Sequence, residues 1–240
     1  MKHIIYIQRD DRGEIFDDFA FAAYLGFKQR KFNIKFFKKI DEVPISKNNL
    51  IVGSIENTEI YFNKLGINIP SPIHMPKELE DLSGRKTYIT TLGEVRKYDE
   101  KKFPLFIKSN TELKKFIPGP IKSKKDLGIY LYNISDETSV LISDVINFIS
   151  EYRCFVKEKQ LKGIKHYIGN FDFFPDMEYI YECIRNYKSS PIAYTLDVGI
   201  TDKGDTVIIE CNDAWSIGNY GLDGYVYSEL LLSRWIEIIK

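Results

Sequence analysis

The sequence predicts a mixed fold, α/β at the N-terminus and α+β beyond it, and three observations carry that expectation. The first 65 residues alternate short apolar strands with helix-period stretches, the pattern of an open layer built on a parallel sheet. A segment with three prolines, Ile67 to Pro76, then interrupts the chain. Further on, paired runs rich in Val, Ile and Thr flank clusters of turn formers, as in β-hairpins.

In order, His3 to Gln8 is a short apolar strand closed by Arg9-Asp10-Asp11-Arg12-Gly13. A helix follows from Glu14 to Arg30, with Phe16, Phe19, Ala20, Ala23 and Phe27 at helical spacing. Asn33 to Phe37 and Leu50 to Gly53 read as further strands. Ser54 is a candidate N-cap for a helix reaching Leu65. Such layers bind ligands at the carboxyl ends of their strands, here Gln8–Asp11 and Gly53–Glu56. No Gly-x-Gly-x-x-Gly follows the first strand, so a dinucleotide fingerprint is absent.

Ile67 to Pro76 reads as a linker, and Pro76 to Glu100 as a helical connector interrupted by Gly84 and Gly93. The expected organisation is therefore a first domain over residues 1–95 and a second over 96–240. In the second, Phe103 to Lys108 is a strand, Ser109 to Pro120 a loop, and Val140 to Asp144 a strand. Glu151 to Lys157 and Leu161 to Ile168 form a hairpin. Asp176 to Tyr187 reads as a helix with Met177, Ile180, Tyr181 and Ile184 on one side. The final helix, Tyr225 to Ile239, carries Tyr227, Leu230, Leu231, Trp235 and Ile238 as its apolar stripe.

Composition narrows the classes. With 44% hydrophobic residues in 240, the chain is an ordinary globular protein with a substantial core. Lys+Arg and Asp+Glu balance at 34 each, so no global field attracts nucleic acid. The charge is uneven locally, with ten Lys/Arg against four Asp/Glu from Arg96 to Asp126. Cys154, Cys183 and Cys211 form no Cys-x-x-Cys pair and read as buried thiols in a reducing cytoplasm. No stretch suits a signal peptide or a membrane span, so a soluble cytoplasmic protein with no membrane partner is expected.

The chemistry centres on Tyr194 to Asp213, YTLDVGITDKGDTVIIECND. A turn at Lys203-Gly204 places Asp197 opposite Glu210, and strand alternation puts Asn212 on the same face. Two carboxylates side by side repel, and their desolvation is costly, unless a cation lies between them. All-oxygen donors suit a hard cation, so Asp197, Glu210 and Asn212 are read as a Mg²⁺ site.

Cations for phosphates are also in place. Lys108 ends an apolar strand before a loop, a position from which an ammonium reaches a phosphate. Arg153 and Lys165 lie on the two strands of the preceding hairpin. A two-residue turn sets them on opposite sides, whereas a three-residue loop at Glu158–Gln160 sets them opposite each other, aimed at a triphosphate. His166 points the other way and reads as structural.

FIKS, SEYRCFV, GIKHYIG and DVGITDKG…IIECNDAW together resemble the R2K clade of ATP-grasp proteins over residues 100–240, and the N-terminal layer is compatible with the domain that precedes an ATP-grasp domain. The resemblance implies an ATP-grasp fold, two α+β lobes gripping Mg²⁺–ATP, and assigns roles. Asp197 and the Glu210/Asn212 pair hold the metal, and Lys108 meets the α-phosphate. Asp144, Val145, Ile146 and Asn147 form the adenine hinge, and Glu151 holds the ribose. Two departures stand out. The loop after Lys108 has only Gly119 where the family has a glycine-rich cover, which shifts the phosphate grip to side chains such as Lys115. Thr195 also replaces the arginine that many ligases carry two residues before the metal Asp; Arg153 is the candidate replacement, with the alternative that the acceptor chemistry differs.

The implied activity is a carboxylate–amine ligation through an acyl phosphate, on an unidentified acid and amine, with ATP and Mg²⁺ as cofactors. A kinase on the same fold, or a nucleotide-binding regulatory module without turnover, is the alternative.

Overall fold

The computed structural model describes residues 3–111 and 115–240. Residues 112–114 of the expected Ser109–Pro120 loop lie outside the described residues.

The N-terminal layer is a parallel sheet of β1 (Ile4–Gln8), β2 (Asn33–Phe37) and β3 (Asn49–Val52) in the order β2-β1-β3. Helix α1 (Asp18–Gln29) starts later than the sequence spacing indicates, because Arg9 and Ile15 first form a β-bridge and Asp10 accepts from the Arg12 and Glu14 amides. Asp17 then caps it, accepting from the Ala20 amide at 2.7 Å. Ser54 caps α2 (Ile55–Lys64) through the Asn57 amide.

The connector between Pro76 and Glu100 is a correction. A 3₁₀ segment (Lys77–Leu82) leads into strand β4 (Thr87–Thr91) and short helix α3 (Leu92–Arg96). The β-branched run Thr87-Tyr88-Ile89-Thr90-Thr91 fits a pleated surface better than a helix. It pairs with β7 (Ser139–Ser143) at the edge of a four-stranded sheet ordered β4-β7-β5-β6, with β5 at Leu105–Ser109 and β6 at Gly119–Ile121. Helix α4 (Lys124–Tyr130) packs its Leu127 into the core under this sheet.

The coil 144–147 leads from β7 to the third sheet, ordered β11-β10-β8-β9 and fully antiparallel. Its strands are β8 (Phe148–Lys157), β9 (Gln160–Gly169), β10 (Ala193–Thr201) and β11 (Thr206–Asp213). One face carries Tyr152, Cys154, Leu196 and Val198 onto helix α5 (Met177–Asn186), with Ile180, Cys183 and Ile184 beneath. Tyr181, expected on that side, is exposed instead. All three cysteines are buried free thiols. The opposite face carries Glu151, Arg153, Thr195 and Asp197.

Helix α6 (Gly224–Ile238) returns to the N-terminal layer. Its Trp235 stacks on Phe62 at 5.3 Å and shares a core with Ile5, Ile7 and Phe27. Deleting a ring from such a setting costs about 3–5 kcal/mol. Backbone contact with α1 is close: a Cβ at Gly26 would lie 1.7 Å from the Gly224 carbonyl oxygen, so only glycine fits. No helix among the described residues is long and apolar enough to cross a membrane.

Candidate active site

The hairpin register brings the acidic residues together by a different route from the simple turn. Thr201 and Asp205 close the β10–β11 turn, with Gly204 at φ +89° inside it, and strand pairing starts at Ile200–Thr206. A bulge at Ile209 then shifts the register, so that Asp197 pairs with Glu210. The β8–β9 hairpin behaves alike. Its turn has two residues, Glu158 and Lys159, both at positive φ, and a bulge at Lys162 brings Arg153 opposite Lys165. The result is one transverse row over four strands: Lys165, Arg153, Asp197, Glu210.

Within the row, Arg153 grips Asp197 with Nε at 2.8 Å and Nη2 at 2.6 Å. Both side chains are buried. Burial pushes the Asp197 carboxyl up to about 6 against the pull of the guanidinium. Burial also opposes the Arg153 charge, but the Asp197 contact outweighs it and raises the arginine pKa, so the pair is ionised at neutral pH. Lys108 reaches across from the β4–β7 sheet and donates to Glu210 Oε2 at 2.7 Å. Burial raises the Glu210 carboxyl, yet Lys108 and Asn212 together hold it below its ordinary value. Asn212 Nδ2 donates to Glu210 Oε1 at 3.0 Å and approaches Asp197 Oδ2 at 3.4 Å.

The oxygen donors test the fit for Mg²⁺. Among the described residues, no three His, Cys, Asp or Glu side chains gather as a metal cage. Glu210 and Asn212 are two residues apart on one strand face and line a cavity, and their donor chemistry suits a hard cation. Asp197 has both oxygens on Arg153 and joins them only if that contact is shared. The fit therefore rests on Glu210 and Asn212 first.

Other expected residues fall as follows. Asp144, Val145, Ile146 and Asn147 form the coil joining the two sheets, and Asp144 Oδ2 accepts from the Lys86 amide at 3.2 Å. Glu151 shares the Arg153 face near Tyr167, whose hydroxyl pKa rises through burial first and then through Asp197 and Glu151. The Lys165 side chain makes no ion pair or hydrogen bond to a described residue. Lys115 is exposed on the loop before Phe116. Thr195 is fully buried, its hydroxyl without a hydrogen-bond partner among the described residues. His166 packs edge-on against Tyr152, on the opposite face from Arg153.

Two cavities meet here. One of about 450 Å³ is lined by His74, Lys108, Phe116, Glu210, Asn212 and Trp215. A larger cleft of about 1190 Å³ runs from Phe19 and Ser54 of the N-terminal layer to Arg153, Asn212 and Tyr220. Sequence spacing gave no sign of three of the residues around them. Arg85 donates to the Ile209 carbonyl; burial lowers its pKa, opposed by Glu210 and Asp144. His74, from the proline-rich linker, bonds the Asn110 carbonyl at 2.8 Å, while its own carbonyl takes the Cys211 amide. Tyr220 lies over Arg153. Their contacts depend on loops whose paths no periodicity reports.

The ATP-grasp domain, R2K clade family 2, matches residues 82–230. The chain belongs to the ATP-grasp R2K clade. Solved ATP-grasp structures share its fold along nearly its whole length. D-alanine–D-alanine ligase from Bacillus anthracis superposes with TM-score 0.60 at 13% identity, covering 99% of this chain and 98% of that one. A RimK-domain ATP-grasp protein from Sphaerobacter thermophilus gives 0.57 at 14%, covering 98% and 97%. D-cycloserine synthetase gives 0.61 at 8%, covering 97% and 99%. No curated protein matches. The sheet that holds β4 and β7 and the sheet that holds β8 to β11 are joined at residues 144–147.

Proposed function

We propose that this ATP-grasp protein is a Mg²⁺–ATP-dependent ligase joining a carboxylate to an amine through an acyl phosphate. The observation that carries the reading is the row Lys165–Arg153–Asp197–Glu210, met by Lys108 from the facing sheet. Two cations and two carboxylates in one row are the opposite charges that a triphosphate and its metal need, which supports the reading. Kinship with the ligase and synthetase above supports the same class.

In this reading the acid's carboxylate attacks the γ-phosphorus. The bond to the bridging oxygen breaks and ADP leaves with the electron pair. The amine nitrogen then attacks the acyl carbon, loses its proton, and phosphate departs. Catalysis is mainly positioning and charge neutralisation, so no side chain becomes a covalent nucleophile. Arg153 Nη1, which makes no hydrogen bond to a described residue, faces charge on the transferred phosphoryl. Glu210 and Asn212 would hold the Mg²⁺, which would supply charge neutralisation for the phosphates, and Lys108, now on Glu210, would donate to phosphate oxygens. Lys165 and Lys115 add long-range attraction for the nucleotide. Asp144 to Asn147 flank the adenine, and Glu151 accepts from the ribose hydroxyls. The larger cleft, ending at Arg153, admits the acid and the amine, which are small molecules or peptide or protein ends.

The test is a panel of acids and amines assayed for ADP and phosphate release, with mass spectrometry of the product. Phosphate release that requires both co-substrates, with an amide product, supports the ligase. A phosphorylated acceptor, or binding without turnover across the panel, overturns it.

A further inference from the structure

Between the 3₁₀ turn at Ala214–Ser216 and α6, the chain forms a tight turn at Asn219–Leu222. The Leu222 amide donates to the Asn219 carbonyl at 2.7 Å, and Asn219 Nδ2 donates to the Leu222 carbonyl at 3.0 Å. Both central residues are left-handed, Tyr220 at φ +44° and Gly221 at +79°. Turns with two such residues take Asn-Gly or Gly-Gly, and a bulky aromatic at the first position is strained. Strain of this kind persists only where the surroundings hold it, and it concentrates at functional sites.

The surroundings do hold it. Leu222 is buried, and a Cβ at Gly163 of β9 would come within 2.5 Å of its side chain. Gly218 lies against the Phe19 ring so closely that a Cβ there would come within 2.7 Å of it. Tyr227 of α6 donates to the Ile217 carbonyl at 2.6 Å. The turn thereby presents one ring to three elements. The Tyr220 centroid lies 5.6 Å from that of Phe19 on α1, 5.2 Å from that of Tyr167 on β9, and 4.5 Å from Arg153 Cζ on β8.

Arg153 is thus fixed twice. Asp197 takes one edge of its fork, Nε and Nη2, and Tyr220 covers the guanidinium from the side. Nη1 is the edge left over. We propose that Tyr220 is a positioning residue, whose strained turn is retained because its ring aims the Arg153 fork at the phosphoryl being transferred. The inference rests on the role given to Arg153 above. A ring that merely filled space would not require a left-handed tyrosine, since a turn two residues long accepts Asn or Gly without strain.

Three proteins test it: wild type, Tyr220→Phe and Tyr220→Gly. Glycine relieves the backbone while deleting the ring, so the fold should survive with a near-wild-type Tm. The probe is Mg²⁺–ATP alone, with water attacking the γ-phosphorus to give ADP and phosphate. Tyr220→Gly should lower kcat by about 10-fold with KM for ATP changed far less, as expected when an interaction aligned for the transition state is lost. Tyr220→Phe keeps the ring and should restore kcat. The second readout is the Arg153 Nε–H resonance, assigned by its loss in Arg153→Lys. The ring current should displace it in wild type and Tyr220→Phe, and the displacement should vanish in Tyr220→Gly. Wild-type kcat in Tyr220→Gly, or an Arg153 resonance indifferent to the ring, overturns the proposal. A wild type that releases no ADP from Mg²⁺–ATP alone is a ligase that waits for its co-substrates, and the resonance then decides the Tyr220 role alone.

Discussion

Arg153 and Asp197 face each other across the β8–β10 ladder, both buried and joined by two hydrogen bonds of 2.8 and 2.6 Å. A buried pair of this kind costs little when intact and much when halved. Asp197→Ala, leaving the arginine charge uncompensated, should lower stability by about 3–5 kcal/mol in denaturant titrations. The double variant Arg153→Ala/Asp197→Ala should recover part of that loss. Additive losses would mean that the two groups are not coupled.

Arg153→Lys keeps the charge and loses the planar fork. Turnover should fall at least ~10-fold, on the order of 1.4 kcal/mol of transition-state stabilisation, while the Kd for ATP from calorimetry changes far less. Lys165→Ala should mainly weaken ATP binding. An unchanged kcat for Arg153→Lys would remove the phosphoryl-facing role.

Glu210→Gln removes the charge that Lys108 meets at 2.7 Å and that the metal would share. Mg²⁺-dependent turnover should be lost with circular dichroism unchanged. Normal turnover at saturating Mg²⁺ would sink the metal assignment.

The proposed function makes the coil 144–147 the adenine hinge and Glu151 the ribose acid. ATP or ADP should bind more tightly than GTP, measured by calorimetry in Mg²⁺ buffer. Equal affinities would count against the hinge. Asp144 already accepts from the Lys86 amide, so Asp144→Asn should weaken nucleotide binding less than Glu151→Gln does.

Glu229 on α6 is held by Lys157 at 2.7 Å and Arg30 at 2.9 Å. Lys157 first, then Arg30, keep its carboxyl below the usual range. Because the folded pKa is the lower one, the stabilisation is present above the unfolded value and is lost as pH falls through the folded value. The group is partly exposed and solvent screens it, so Glu229→Gln should cost only about 0.5–1 kcal/mol at pH 7. Thermal melts of the variant and the wild type should converge as the pH falls below the ordinary glutamate range, and a constant gap would exclude the linkage.

Much of this was legible in the sequence, for physical reasons. Ser54 and the apolar stripe of α6 carry their signals locally, and the shared face of Glu210 and Asn212 follows from strand alternation. The bulges at Ile209 and Lys162 were not legible, since a bulge answers to sheet twist rather than to composition. Strand β4 was misread because it is short and follows Lys77–Leu82, whose residues suit a helix. Arg85, His74 and Tyr220 reach the site through tertiary contacts alone, which periodicity does not encode.

The glycine contact between α1 and α6 joins segments almost two hundred residues apart, so synthesis order matters. On the ribosome, β1, α1 and β2 emerge long before Gly224 and Trp235 exist to cover them. The nascent layer must wait with Phe27 and Phe62 uncovered until the last helix arrives, a window in which chaperones have something to hold. The two four-stranded antiparallel sheets are made in between, so the N-terminal layer is translated before them and finishes folding after them.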